Sequence, residues 1–453
     1  MSVSAYESYR DSGVVGIGPV PSHWRLSALK RAVTPKRRIT YGIVQGGPDL
    51  PEGVPYIRPT DMGEESGVAN LAGLMKTSLE IAESYSRSSL LAGDLVCSIG
   101  PSFGKVMVVP ASLAGANLTQ GTARVAVNAE YVSKFVFWVL RSEPSHYQWE
   151  CSIGGATFRA LNLEPLSETQ FCAPPLAEQT AIAAFLDRET AKIDALVEEQ
   201  RRLVELLKEK RQAVISHAVT KGLDSTVPMK DSGVEWLGEV PAHWDVTAIK
   251  RLCLLITDGA HISPETEDGV YSFVSTKDLL ADGIDFDGCL RTSASSYEYL
   301  VKAGCRPAVH DVLFSKDGTI GRTVVVRDDR EFVVASSLII IRPDGNQLDA
   351  SYLDFLCQSD CVQHQVESFV KGAGLPRLSI QNLLRVLGVF PPLAEQSAIA
   401  RSLLAVTGNF RELITEAERS ITLLQERRAA LISAAVTGKI DVRGLVPAEA
   451  EAA

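Results

Sequence analysis

Between Pro175 and Gly222 the chain holds neither proline nor glycine, and its apolar residues recur at alternating steps of four and three: Ile193, Val197, Val204, Leu207, Val214, with Gln200 and Arg211 filling the remaining steps. That spacing is the stripe of a heptad helix. The stripe returns 217 positions later as Phe410, Ile414, Ile421, Leu424 and Leu431, with Ala417 and Arg428 in the same register. Two amphipathic helices of equal phase bury their apolar faces most simply against each other. The pattern predicts an antiparallel intramolecular coiled coil and marks the chain as an internal duplication.

Both helices carry end signals. Each opens on Pro-Pro-Leu-Ala-Glu-Gln, at residues 174–179 and 391–396. The prolines suit a first turn, and Glu178 and Glu395 suit the positive end of the helix dipole. Gly222 and Gly438 stand where a left-handed cap is expected. Gly408 replaces Ala191 in the second copy, which predicts a kink or break near Thr407.

The regions outside the helices repeat too. Asp11-Ser12-Gly13-Val14 leads to Pro21-Ser22-His23-Trp24, and Asp231-Ser232-Gly233-Val234 leads to Pro241-Ala242-His243-Trp244. A His-Trp pair can stack on a base, but packing is the commoner use. Short β-type runs separated by glycine turns follow in each half. Asp94 matches Asp311, Gly104 matches Gly321 and Lys105 matches Arg322, all at the 217 offset. A glycine followed by a cation lets backbone amides and one side chain reach a phosphate, and it equally suits a plain hairpin. Glycine-rich loops at residues 154–158 and 371–376 run into Arg159 and Arg377 before the helices begin.

Composition narrows the classes. With 453 residues and 45% hydrophobic content, the chain has room for about three domains and ample core. The N-terminus lacks the basic-then-apolar order of a signal peptide, and no apolar run approaches the roughly 20 residues that span a bilayer, so a cytoplasmic protein with no membrane partner is expected. Eight cysteines show no C-x-x-C pair and no histidine at ligand spacing. They read as buried thiols, with no metal. Net charge is −10, yet residues 12–48 contain no acid while Arg25, Lys30, Arg31, Lys36, Arg37 and Arg38 all fall there. A local patch, not the total, decides phosphate binding. The sequence holds no phosphate loop, no Asn-Pro-Pro-aromatic run, no adenosylmethionine loop and no nucleophile elbow. No catalytic residue and no cofactor is expected.

The layout resembles the specificity subunits of type I restriction-modification systems. The resemblance rests on the Asp-Ser-Gly-Val to Pro-x-His-Trp phrase, a β-rich region, the turn Gly318-Thr319-Ile320-Gly321, and Pro-Pro-Leu-Ala-Glu-Gln with its long helix. It covers nearly the whole chain, from Asp11 to Asp441. The second half carries Thr257-Asp258-Gly259-Ala260-His261, where the first has Tyr41-Gly42-Ile43. The resemblance implies an α+β chain in which two β-rich target-recognition domains, residues 1–173 and 223–390, are joined by spacer helices at 174–222 and 391–441, with a frayed tail at 442–453 and pseudo-twofold symmetry. It implies a non-catalytic subunit that reads a bipartite, asymmetric site on double-stranded DNA. Two modification (methyltransferase) subunits and restriction (motor/nuclease) subunits would dock on it. Candidate DNA contacts are Lys36, Arg37, Arg38, Arg58, Lys105 and Arg159 in the first domain, with Lys277, Lys316, Arg322 and Arg377 in the second. The competing reading is a coiled-coil scaffold joining two protein-binding domains without DNA.

A helix of this length measures roughly 68 Å at about 1.5 Å per residue, whereas half-sites on one DNA face repeat about every 34 Å. If the helices set the spacer, deleting one heptad from one of them changes the number of unspecified base pairs in the methylated motif. An unchanged spacer overturns this.

Overall fold

The computed structural model describes residues 5–63, 67–68, 70–153, 159–262, 264–265, 269–280, 283–370 and 377–445. The glycine-rich loops at 154–158 and 371–376 and the tail from 446 lie outside them. The chain divides into two compact units, Met1–Gln200 with Arg419–Ala453, and Arg201–Glu418.

The first long helix runs Leu176–Lys221 and the second Leu393–Val436. The second passes through Gly408 unbroken, against the expected kink. A helix-interior glycine costs only about 1 kcal/mol relative to alanine. The neighbouring Thr407 is buried, as are Leu403 and Ala400 one and two turns earlier, so tertiary packing carries the helix through. Gly222 and Gly438 sit past the ends with φ of 83° and 71°, in the left-handed region where glycine is favoured.

Each unit holds the start of one long helix and the finish of the other, so the two run antiparallel within it. In the first unit Ile182, Phe185 and Leu186 share a core with Ile432, Ala435 and Val436. In the second, Ile215, Ala218 and Val219 share one with Ile399, Ala400 and Leu403. Along the stripe, Ile193, Val197 and Val204 are buried, while Leu207, Val214, Phe410, Ile414, Ile421, Leu424 and Leu431 are half-buried. The residues between them are mostly exposed.

The β-rich part of each unit repeats one plan. In the first, Thr40–Tyr41, Thr122–Val125, Leu95–Ser98 and Val106–Val108 form an antiparallel sheet in that order, beside a mixed sheet of Lys76–Thr77, Val54–Ile57 and Asn117–Leu118. In the second, the counterparts are Cys253–Asp258, Leu338–Pro343, Val312–Ser315 and Thr323–Val325, with Leu290–Thr292, Tyr271–Val274 and Phe332–Val334 alongside. Arg25–Ala28 pairs with Gln170–Ala173, and Asp245–Ala248 with Leu387–Phe390, so the strand entering each domain lies against the strand that leaves it for a long helix.

The repeated phrases turn out to be the joints of this plan. Trp24 and Trp244 are buried, as the packing reading expects. Trp24 Nε1 donates to Glu178 Oε2 at 3.1 Å, and His23 Nε2 lies 2.8 Å from Glu178 Oε1. In the second unit His243 Nε2 lies 2.8 Å from Glu395 Oε2, and Trp244 Nε1 lies 3.1 Å from His243 Nε2. A Cβ on Gly438 would fall 2.4 Å from Pro21, and one on Gly222 would fall 3.2 Å from the Trp244 ring. The His-Trp phrase is thus wedged between the start of one long helix and the end of the other.

The glutamine that follows is equally specific. Gln179 and Gln396 are buried. Gln179 Oε1 accepts the Val132 N–H at 2.9 Å and its Nε2 donates to Pro174 O at 2.9 Å. Gln396 accepts the Asp349 N–H at 2.9 Å and donates to Pro391 O at 2.8 Å. Near the far helix ends, Ser433 Oγ accepts the Glu143 N–H at 3.2 Å and Ser216 Oγ the Asp360 N–H at 2.9 Å, tying each long helix to the start of a domain helix, Glu143–Ile153 or Asp360–Val370.

Cys357 and Cys361 fall on different helices, and Cys151 is exposed, so the thiols are not uniformly buried. No described helix is long and apolar enough to cross a membrane. Because each glutamine satisfies a backbone N–H at a joint, Gln179→Ala and Gln396→Ala are each expected to cost about 1–3 kcal/mol. Urea unfolding of the full chain reads this out, and a loss confined to one of the two variants would contradict the equivalence of the joints.

Candidate nucleic-acid interface

The expected cations separate into those facing solvent and those spent internally. On the loop before Thr40–Tyr41, Lys36 and Arg38 are exposed, but Arg37 turns inward and clasps Asp94 with both terminal nitrogens at 2.7 Å. Asp94 has its equivalent in Asp311, which Arg342 clasps in turn, through Nε at 2.8 Å and Nη2 at 2.7 Å. Both aspartates also accept a turn N–H at 2.7 Å, from Leu91 and Ala308. These pairs fix the turn before a central strand. The turn needs a left-handed residue, supplied by Gly93 at φ 86° and by His310 at φ 73°.

Two further arginines, which the local sequence did not single out, complete the first site. Arg124, buried on a central strand, donates to Ser89 O at 3.0 Å, Arg87 O at 2.5 Å and Arg38 O at 3.3 Å. It holds the two loops that carry Arg38 and Arg87. Burial first, then the Arg37 charge, press its pKa downward. Lys36, Arg38, Arg87 and Arg124 line a cavity of about 540 Å³, with the Arg87 guanidinium 5.9 Å from the centre of the Tyr41 ring. Arg87 and Arg124 lie far from residues 36–38 in sequence, so only the sheet pairing reveals them.

The other first-domain candidates are held by neighbours. Arg58 forks onto Asp61 at 2.7 and 2.9 Å, Lys105 Nζ donates to Met62 O at 3.3 Å, and Arg159 pairs with Glu150.

In the second unit Lys277, Arg322 and Arg377 are exposed. Arg377 bonds Asp317 at 3.0 Å. Lys316 differs: it is 3% exposed, and its ammonium lies 2.6 Å from Asp258 Oδ2. His261 Nε2 lies 2.8 Å from the same oxygen while its ring faces solvent. Burial works to raise the Asp258 carboxyl, but the bonds from Lys316 and His261 outweigh it and hold the group below its usual value. Ser337 draws these residues together, accepting the Lys316 N–H on its carbonyl at 2.9 Å and the Thr276 N–H on its hydroxyl at 3.2 Å. Through Ser337, Asp258 and the Asp317–Arg377 pair, the segments that carry the exposed His261, Lys277 and Arg377 are each tied to the neighbourhood of the buried Lys316.

The paired glycine turns do not offer amides to a phosphate. Gly104 and Lys105 donate their N–H groups to Ser98, at O and Oγ, at 3.1 and 2.9 Å. Gly321 and Arg322 do the same to Ser315 at 3.0 and 2.8 Å. The glycines are required instead by a left-handed backbone, at φ 97° and 89°, and a Cβ would also fall 2.5 and 2.2 Å from the His146 and Gln363 side chains.

A profile described as type I restriction modification DNA specificity domain matches residues 48–206 and again 241–423, more than half of the chain. The chain belongs to this family. It is 24% identical over 200 residues to the specificity subunit of the type I restriction enzyme EcoBI from Escherichia coli, covering 44% of this chain and 42% of that one, so the match spans under half of the relative. In fold it is similar to the HsdS subunit from Thermoanaerobacter tengcongensis, with a TM-score of 0.51 at 18% identity over 93% of this chain and 98% of that one. It is also similar to a chain from a structure concerned with complex assembly and conformational transition of the type I R-M system, with a TM-score of 0.63 at 18% identity over 94% and 99%.

For a specificity subunit of this type, exposed and buried cations separate by experiment. Arg322→Ala is expected to weaken DNA binding at all sequences and to lower the salt slope by about one. Lys316→Met is expected to leave that slope unchanged but to destabilise the fold by about 3 kcal/mol, because it leaves a partly buried carboxylate with only the exposed His261 as its ionic partner. Salt titrations of binding and denaturant unfolding check both, and the reverse pattern would reassign the two residues.

Proposed function

We propose that this chain is the non-catalytic DNA-reading subunit of a cytoplasmic type I restriction-modification complex, recognising two different half-sites on double-stranded DNA, one with each unit. The observation that carries this reading is that one scaffold is built twice with different faces. The joints repeat the same histidine, tryptophan, glutamate and glutamine, whereas the first unit presents Lys36, Arg38, Arg87 and Arg124 around a cavity and the second exposes His261, Lys277 and Arg377. Identical frames with unequal faces favour an asymmetric target, since phosphate contacts position a protein and base contacts specify the sequence.

Docking of two modification subunits is supported by the long helices. Leu196 and Leu206 are exposed on the first, and their counterparts at the 217 offset, Leu413 and Leu423, are exposed on the second. A repeated apolar patch suits a partner that binds twice. Restriction subunits would join through that assembly.

Methylome sequencing of the host with and without the gene tests this reading directly. Loss of a single bipartite motif with unequal halves is the expected result. Retention of every methylated motif, or loss of a palindromic one, would overturn it.

A further inference from the structure

In the first unit, Arg428 of the second long helix meets Asp194 of the first, Nε to Oδ1 at 2.8 Å, with the Trp138 ring 5.9 Å from the guanidinium. The duplication places Arg211 at the position of Arg428, Arg411 at that of Asp194, Gly408 at that of Ala191 and Asp354 at that of Phe137. Where the first unit sets opposite charges side by side, the second sets two arginines.

These residues surround a cavity of about 300 Å³ that Arg327 also lines. That is room for roughly ten waters at about 30 Å³ each. Gly408 opens it, because a Cβ there would meet nothing within 4 Å. Arg211 Nη2 donates to Gln358 Oε1 at 3.1 Å, and Gln358 Nε2 donates to Asp354 Oδ2 at 3.0 Å. Asp354 Oδ1 is sealed from solvent without a hydrogen-bond partner among the described residues.

We propose that this cavity binds a small tetrahedral oxyanion of the phosphate or sulfate type, held by the guanidiniums of Arg211, Arg327 and Arg411. Planar guanidiniums match the paired oxygens of such anions, and their bonds strengthen where water is sparse. Burial raises the Asp354 carboxyl, against the pull of Thr323, Gln358, Arg327 and Arg211, and so lessens its repulsion of an oxyanion. Burial and the nearby Arg411 charge press the Arg211 pKa downward, a cost that an anion relieves. The ligand would join both long helices to the domain wall of the second unit.

The test is calorimetric titration of the full chain with sodium phosphate and with sodium sulfate, in chloride buffer at constant ionic strength. One saturable site per chain is expected, with a thermal midpoint that rises as ligand exceeds its dissociation constant. Arg211→Met, and Arg411→Asp, which restores the charge arrangement of the first unit, should each weaken binding at least about tenfold. Arg428→Met should retain the site. The proposal fails if the wild type shows no saturable binding, or if both second-unit variants bind as the wild type does. It also fails if duplex DNA displaces the bound phosphate at equal ionic strength, which would assign the cavity to the nucleic-acid backbone.

Discussion

Everything else in each unit hangs on the joint where one long helix starts beside the finish of the other. A helix start leaves unsatisfied N–H groups and a helix finish leaves unsatisfied carbonyls, so neither end tolerates burial without partners. The side chains of the Pro-Pro-Leu-Ala-Glu-Gln phrase tie the helix start to its surroundings. Glu178 bonds the His23-Trp24 pair that packs under the cap of the opposite helix, while Gln179 satisfies both Val132 and Pro174. Because Gln396 repeats the glutamine bonds and Glu395 again meets the preceding histidine, the joint is a property of the motif and not of one domain. It also fixes polarity: a start can meet a finish in both units only if the helices run in opposite directions.

A frame held at its joints is free to vary elsewhere, and the two units show how far. Gly42 and Gly259 occupy equivalent places, and a Cβ at either would fall 1.9 Å or 2.3 Å from a carbonyl oxygen of a neighbouring strand. That glycine is a geometric requirement. Its neighbours are not: Tyr41 and Ile99 in the first unit stand where the second has the ion pair of Asp258 and Lys316. Exchanging an apolar pair for a charged one inside a common backbone changes what faces the solvent at His261 while leaving strand pairing intact. Two recognition surfaces can thus diverge on one scaffold.

The helices, their caps and their apolar stripe were legible because periodicity and capping are local. The joints were half legible. The His-Trp phrase reads as packing, but its partner Glu178 lies 155 residues from His23 and has no local mark. The cations were least legible, since a lysine in a loop looks the same whether it meets water or an acid. Arg37 and Lys316 meet Asp94 and Asp258 at separations of 57 and 58 residues, and only the sheet brings those acids near. The glycine of the Gly-Lys turn stayed open to two readings for a related reason. A glycine demanded by a side chain packed above it and one demanded by a phosphate are identical in sequence.

Charge distribution adds a constraint on how such a chain meets nucleic acid. The first long helix carries eight acidic and eight basic residues and the second carries five of each, so neither adds net charge. The excess of −10 therefore falls outside the helices, and almost all of it on the second domain: residues 1–175 carry fifteen acids and fifteen bases, whereas residues 222–392 carry twenty-four and fifteen. On the second domain that surplus repels the phosphate backbone except where cations are gathered, so His261, Lys277 and Arg377 would steer as well as bind, whereas the basic cavity of the neutral first domain meets no such opposition. Neutral helices, by contrast, exert little long-range pull. A partner docking on them would be selected by shape and apolar contact, for which the repeated exposed leucines are suited.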